Sequence, residues 1–200
     1  VIPPEAPTLT DALVCTASGV GDPDGEDVTV GYEWDIDGVP AGTTTELSSG
    51  YAKGDSVTCR VAATDASDAT TTASASVTIG NTRPNVSDIA LTPAALYTND
   101  TLTATPTVSD ADSDPVTVTY AFSVNGDVVQ DGPIHTLSGV LHFDKHDTVS
   151  VEVTADDGDG IDTRTSDTLT VRNTLPTAAD ISIIAGGDVC PAGWEVMADG

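Results

Sequence analysis

The chain has 200 residues, with 32 Asp and Glu against 6 Lys and Arg, a formal net charge of -26. That balance excludes electrostatic attraction to nucleic acid or to an anionic membrane and makes cations the natural partners. No apolar run is long enough to insert into a bilayer as a helix, and Val, Ile and Leu recur at strand spacing between Gly, Asn and Asp turns, a pattern that a disordered acidic tail lacks.

In chain order, alternation predicts strands over 13–17, 28–36, 56–63 and 73–79, and then over 86–91, 102–107, 116–124, 148–155 and 165–171. Asp37-Gly38 and Asn125-Gly126 read as two-residue hairpin turns, because both pairs tolerate the positive φ that such turns demand. No helix of any length is expected, so the fold class is all-β. The second set of elements repeats the first. Asn173-Thr174-Leu175-Pro176 follows Asn81-Thr82-Arg83-Pro84 by 92 residues, the length of one β-sandwich. The reading is of tandem immunoglobulin-like sandwiches of about seven strands each: a first repeat over 1–82, a second over 83–174 and the start of a third module over 175–200.

Cys15, Trp34 and Cys59 have the order and spacing of the immunoglobulin core, in which a disulfide bridges the two sheets and a tryptophan packs on it. Ala104, Phe122 and Val151 stand at the matching places of the second repeat, so both cysteines are absent together, as a bonded pair predicts. The alternative is two buried free thiols. A bond would contribute roughly 3 to 4 kcal/mol through loop closure and indicates an oxidising, extracytoplasmic setting. Cys190 has no evident partner in the sequence.

Each repeat places an acidic loop before its third strand: Asp22-Pro23-Asp24-Gly25-Glu26 in the first and Asp110-Ala111-Asp112-Ser113-Asp114 in the second. In a sandwich this loop shares an end with the loop after the sixth strand. Asp110, Asp112 and Asp114 should therefore converge with Asp156, Asp157 and Asp159, and Asp22, Asp24 and Glu26 with Asp65, beside the inter-repeat linker. Donor sets of oxygen alone favour Ca²⁺ over zinc or copper; the alternative is a solvated acidic rim. Asp11, Asp100, Lys53-Gly54-Asp55 and Lys145-His146-Asp147 read as turn formers. The histidines His135, His142 and His146 form no expected metal pair, and Asn85 and Asn99 head glycosylation triplets.

With the acidic loops, the Tyr32-Glu33-Trp34 and Tyr120-Ala121-Phe122 strands and Ala155-Asp156-Asp157-Gly158 in place, residues 1–174 resemble the PKD-like and cadherin-like immunoglobulin-fold repeats of large bacterial surface and secreted proteins. Asp35-Ile36-Asp37-Gly38 lacks the longer glycine-aspartate run usual in PKD modules, and Thr64-Asp65-Ala66-Ser67 departs from the closing motif. The resemblance implies an extracellular or cell-surface location.

The leading functional expectation is a structural spacer, part of an adhesin stalk, surface layer or filament, stiffened by calcium where neighbouring repeats of the chain meet. The alternative is an accessory carbohydrate- or protein-binding module of a secreted hydrolase, for which Tyr51, Tyr97 and Trp194 are the free aromatics. No nucleophile with a neighbouring base is present, so no enzyme is expected. Val1-Ile2-Pro3-Pro4 aligns with Ala90-Leu91-Thr92-Pro93, so the first repeat begins inside its first strand, and 178–184 reads as the opening strand of the third module. These ends predict a piece of a longer array. Alternatively, the strand at 178–184 completes the first sandwich of a second chain and builds a head-to-tail filament.

Overall fold

The computed structural model describes residues 3–176, so the expected strand at 178–184, Cys190, Trp194 and most of the third module lie outside the described residues. The regular secondary structure of the described residues is almost entirely β-strand. In the first repeat, β1 (Leu13–Val14) pairs with β4 (Glu46–Leu47), and a second sheet has the order β3-β2-β5-β6, from β2 (Thr29–Ile36), β3 (Val39–Gly42), β5 (Ser56–Thr64) and β6 (Thr70–Thr78). In the second repeat, β7 (Asn85–Thr92), β8 (Thr101–Ser109) and β11 (Thr136–Ser138) form one sheet in the order β11-β8-β7. Facing it, β9 (Thr117–Val124), β10 (Asp127–Gly132), β12 (Thr148–Asp156) and β13 (Ile161–Thr165) form the order β10-β9-β12-β13, with β14 (Leu169–Thr170) also on β12. Every pairing within these sheets is antiparallel, and the strands of one repeat pair only among themselves.

Alternation decides what is buried. Along β12, Val149, Val151, Val153 and Ala155 are completely buried while the residues between them are partly or fully exposed, the period of a pleated strand with one face on a core. Each repeat has its own core, centred on Trp34 and Tyr51 in the first and on Phe122, Leu102 and Leu137 in the second. Cys15 and Cys59 are bonded to each other and join the two sheets of the first repeat, and Trp34 stands opposite Cys59 across β2 and β5. Phe122 stands opposite Val151 in the same way, so the second repeat replaces the disulfide and tryptophan with a wholly apolar packing. Both hairpin turns form as the sequence indicates, with φ of 50° and 79° at Asp37 and Gly38 and 53° and 91° at Asn125 and Gly126.

The strand limits differ from expectation in three places. β1 is two residues long instead of five, because its ladder with the equally short β4 ends at Val14 opposite Glu46. The last strand of the first repeat begins at Thr70, three residues earlier than expected. Its counterpart is divided into β13 and β14 by a one-residue change of register against β12, so it starts at Ile161 instead of 165. Ser166 causes the break: its Oγ accepts the Val151 N–H at 3.1 Å and its own N–H reaches the Val151 carbonyl at 2.9 Å, a side chain taking a rung of the ladder. A single helical turn, α1 (Gly139–His142), also contradicts the expectation of no helix. It follows from close packing at Gly139, where a Cβ would collide with the carbonyl oxygens of Thr98 and Asp100 and with the Phe143 ring, so the chain turns there and inserts Phe143 into the core. No described helix is long and apolar enough to cross a membrane.

Because the disulfide belongs to the first core alone, replacing Cys15 and Cys59 with alanine should destabilise the first repeat by about 3 to 4 kcal/mol and leave the second almost unchanged. Differential scanning calorimetry of the variant should show one transition lowered and one retained. Two transitions shifted equally would contradict separate cores.

Candidate functional site at the inter-repeat junction

The acidic loop of the second repeat leaves the end of β8 and folds back on itself before β9. Asp110 Oδ1 accepts the Asp114 N–H at 3.0 Å, a local bond that draws both carboxylates together, with Ser113 in the left-handed region at φ 65°. As a result Asp110, Asp112 and Asp114 each bring one carboxylate oxygen within 4.8 Å of the others. Asp110 Oδ2 is buried and has no hydrogen-bond partner. Asp112 turns to the linker, where its carboxylate accepts the Thr82 backbone N–H at 2.5 Å.

Asp114 is held differently. The ammonium of Lys53, carried on the turn before β5 of the first repeat, lies 2.7 Å from Asp114 Oδ2, 2.9 Å from Asp159 Oδ2 and 2.8 Å from the Asn81 side-chain oxygen. One cation thus joins the first repeat, the linker and two loops of the second repeat. Asn81 also donates its amide to Asp157 Oδ2 at 2.9 Å, while Asp157 Oδ1 accepts the N–H groups of Asp159 at 2.8 Å and Gly160 at 2.6 Å. Thr82 completes the bracket: its N–H serves Asp112, and its hydroxyl oxygen accepts the Leu9 N–H of the first repeat at 3.1 Å. The carboxylates Asp114 and Asp159 hold the Lys53 ammonium above its ordinary pKa. The Asn81 amide, followed by the backbone donors, holds Asp157 below the ordinary carboxylate range.

In the first repeat, Asp22, Glu26 and Asp65 converge within the same 4.8 Å. Asp22 Oδ1 accepts the Asp24 N–H at 2.7 Å, Asp65 Oδ1 accepts the N–H groups of Ser67 and Ala69 at 2.9 Å each, and the Ser67 hydroxyl donates to Glu26 at 3.2 Å. Among the described residues no lysine or arginine forms an ion pair with this group.

The sequence brought ten carboxylates together at these sites, and six of them form the two clusters, while Asp159 is held by Lys53 instead. Asp24 is exposed and stays outside the first, contributing its backbone N–H to Asp22 Oδ1. Asp156 caps the Gly158 N–H at 2.8 Å, and Asp157 is taken by Asn81, so neither joins Asp110, Asp112 and Asp114. Sequence reasoning placed Lys53 among the turn formers and missed its reach across the junction. The available signal was its recurrence as Lys145 in a chain with only 6 basic residues. Asp11, Asp55, Asp100 and Asp147 do cap local turns, on the N–H groups of Thr8, Ala52, Tyr97 and Asp144. Of the aromatic candidates, Tyr51 is buried with its hydroxyl on the Asp11 carbonyl, and Tyr97 is partly exposed.

No protein-family model matches the chain, and no curated protein matches it. Among solved structures it is similar to the three N-terminal domains of the Highly Immunogenic Outer Capsid protein (Hoc) of bacteriophage RB49, at 18% identity and a TM-score of 0.32, over 84% of this chain and 56% of that one. It is also similar to the central fibronectin-III array of RIM-binding protein, at 14% identity and a TM-score of 0.27, over 82% of this chain and 64% of that one. The chain therefore spans less than two thirds of either structure.

The two shifted groups set a pH window for the junction. The lowered Asp157 contributes stability that is present above the ordinary carboxylate pKa, about 4, and is lost as pH falls through its lower folded value. The raised Lys53 contributes stability that is fully present below the ordinary lysine pKa, about 10.4, and is lost as pH rises through its higher folded value. An NMR titration of the Asp157 side-chain carbon should show its midpoint moving up toward the ordinary value in Asn81→Ala. An unmoved midpoint would contradict the assigned cause.

Proposed function

We propose that the chain is a structural spacer segment of an extracellular tandem-repeat protein, in the manner of the PKD-like and cadherin-like repeats it resembles. The observation that supports this reading is the junction itself. Lys53, Asn81 and Thr82 each bond groups in more than one of its parts, so the second repeat is set at a defined angle to the first. A module evolved to present an independent binding face needs no such bracket, whereas a stalk does. The disulfide across the first core is in keeping with an oxidising, extracytoplasmic compartment.

Calcium belongs to the same proposal. Both clusters offer oxygen donors alone, and the buried, unpartnered Asp110 Oδ2 is the kind of atom that a hard cation satisfies. Asp110, Asp112 and Asp114 would hold an ion in the second repeat, and Asp22, Glu26 and Asp65 one in the first. Such an ion supplies positive charge that relieves the repulsion among three close carboxylates. In the second repeat it would share Asp114 with Lys53, so the junction keeps one cation whether or not the metal is bound.

Millimolar calcium should raise the melting temperature relative to EGTA; at a hundred times the dissociation constant the gain is about 2.7 kcal/mol. Asp110→Asn with Asp112→Asn should remove the part of that gain that belongs to the second repeat. Identical melting in calcium and EGTA would remove the metal from the proposal and leave the spacer reading in place.

A further inference from the structure

An exposed strand edge is a template for pairing with another chain, and folded proteins blunt such edges with short strands, proline, bulges or charge. All edge strands among the described residues except one are blunted in this way. β1 and β4 are two residues long and β11 three. β3 is four residues long, contains Pro40 and has a break of register against β2. β7 is broken beside Asp88, and β10 is broken and carries Asp127 and Asp131. The edge formed by β13 and β14 is divided at Ser166 and carries Asp162 and Arg164. β6 has none of these devices. It runs for nine residues, Thr70–Thr78, pairs with β5 at every position without a break, and contains no charge and no proline.

Two rungs decide which backbone groups of β6 face outward. Asp65 donates its N–H to the Ala69 carbonyl at 3.1 Å, and Ile79 donates to the Asp55 carbonyl at 3.0 Å. Antiparallel pairs alternate between bonded and non-bonded, so the odd-numbered residues between these rungs bond to β5. Thr70, Thr72, Ser74, Ser76 and Thr78 then point their N–H and C=O groups to the free edge. All five are exposed, and none makes a backbone hydrogen bond outside the sheet among the described residues. This edge is not the place of a sandwich's first strand: in the second repeat β7 pairs with β8 and makes no strand pair with β13.

We propose that β6 is a dimerisation edge, on which β6 of a second copy of this chain pairs antiparallel about a twofold axis at Ser74, joining the two four-stranded sheets into one. The strand is self-complementary about that axis. Thr70 meets Thr78, Thr72 meets Ser76 and Ser74 meets its counterpart, each a hydroxyl pair of the kind already formed across β5 and β6 by Thr58 with Ser76 and Thr64 with Thr70, both at 2.9 Å. On the other face Ala73 meets Ala75 and Thr71 meets Val77. A slip of one residue would set the outward groups against groups already bonded to β5, and this axis pairs all nine residues. Because the strands run antiparallel, the second repeats, which follow β6 through the linker, leave from opposite ends and do not block each other. The pairing goes beyond the spacer reading, which concerns repeats in series, by setting two chains side by side.

Sedimentation velocity of the 200-residue chain at about 0.15 M salt should show a monomer–dimer equilibrium that weakens as salt is lowered, because each copy carries a charge of -26. As concentration rises, amide hydrogen exchange should slow at Thr72, Ser74 and Ser76 and stay unchanged at Ala73 and Ala75, which β5 already holds. Ser74→Lys and Ser74→Glu each put like charges opposite one another across the axis and should weaken dimerisation roughly fivefold, while an equimolar mixture of the two variants restores it. Ser74 is exposed, so neither change touches the first core. A chain that stays monomeric at every concentration and salt would overturn the pairing. So would a dimer that both variants form as readily as the unaltered chain, or a mixture no tighter than either variant alone. Each of these results leaves the angle at the junction, and with it the spacer reading, untouched.

Discussion

The structure depends on a single electrostatic constraint: carboxylates crowded at the meeting of two repeats need a cation, and the chain brings its own. At an effective dielectric of about 20, two like charges 4 Å apart repel by about 4 kcal/mol, and the solvent at a partly exposed site reduces that figure. An isolated surface ion pair contributes roughly 0 to 1 kcal/mol. The Lys53 contact therefore matters less for its energy than for its geometry. Its ammonium has three donors and meets three acceptors, on two loops and a linker, so moving one repeat against the other breaks several contacts at once.

The linker adds to this restraint. A short connection is free to rotate when its backbone groups face water, but here Thr82 accepts from Leu9 on one side and donates to Asp112 on the other. Asp162 continues the bracket by accepting the Val86 N–H at 2.8 Å, which ties the first strand of the second repeat to its last. The cores supply rigid bodies, and the polar bracket relates them. The two kinds of interaction divide the task, since apolar burial is non-directional and hydrogen bonds to fixed partners carry the angle.

The sequence made most of the fold legible because its signals were local. Strand alternation around Val149, Val151 and Val153, the two glycine hairpins and the spacing of Cys15, Trp34 and Cys59 all depend on near neighbours or on an internal duplication that checks each assignment twice. What stayed illegible was set by tertiary partners. The brevity of β1 reflects the two-residue β4 it pairs with, and the division at Ser166 reflects a hydroxyl taking over a backbone bond. The acidic loops were identifiable as clusters, but which carboxylates meet was not. Asn81 diverts Asp157, and Lys53 reaches Asp114 across 61 positions of sequence, a distance at which no periodicity speaks.

The central claim is that the two repeats hold a fixed relative orientation through the Lys53 bracket without requiring a metal ion. Residual dipolar couplings measured in EGTA on the chain and on Lys53→Met test it most directly. A fixed junction predicts that one alignment tensor fits both repeats of the unaltered chain and that two different tensors are needed for the variant. Separate tensors for the two repeats of the unaltered chain, or one shared tensor in both proteins, would contradict it.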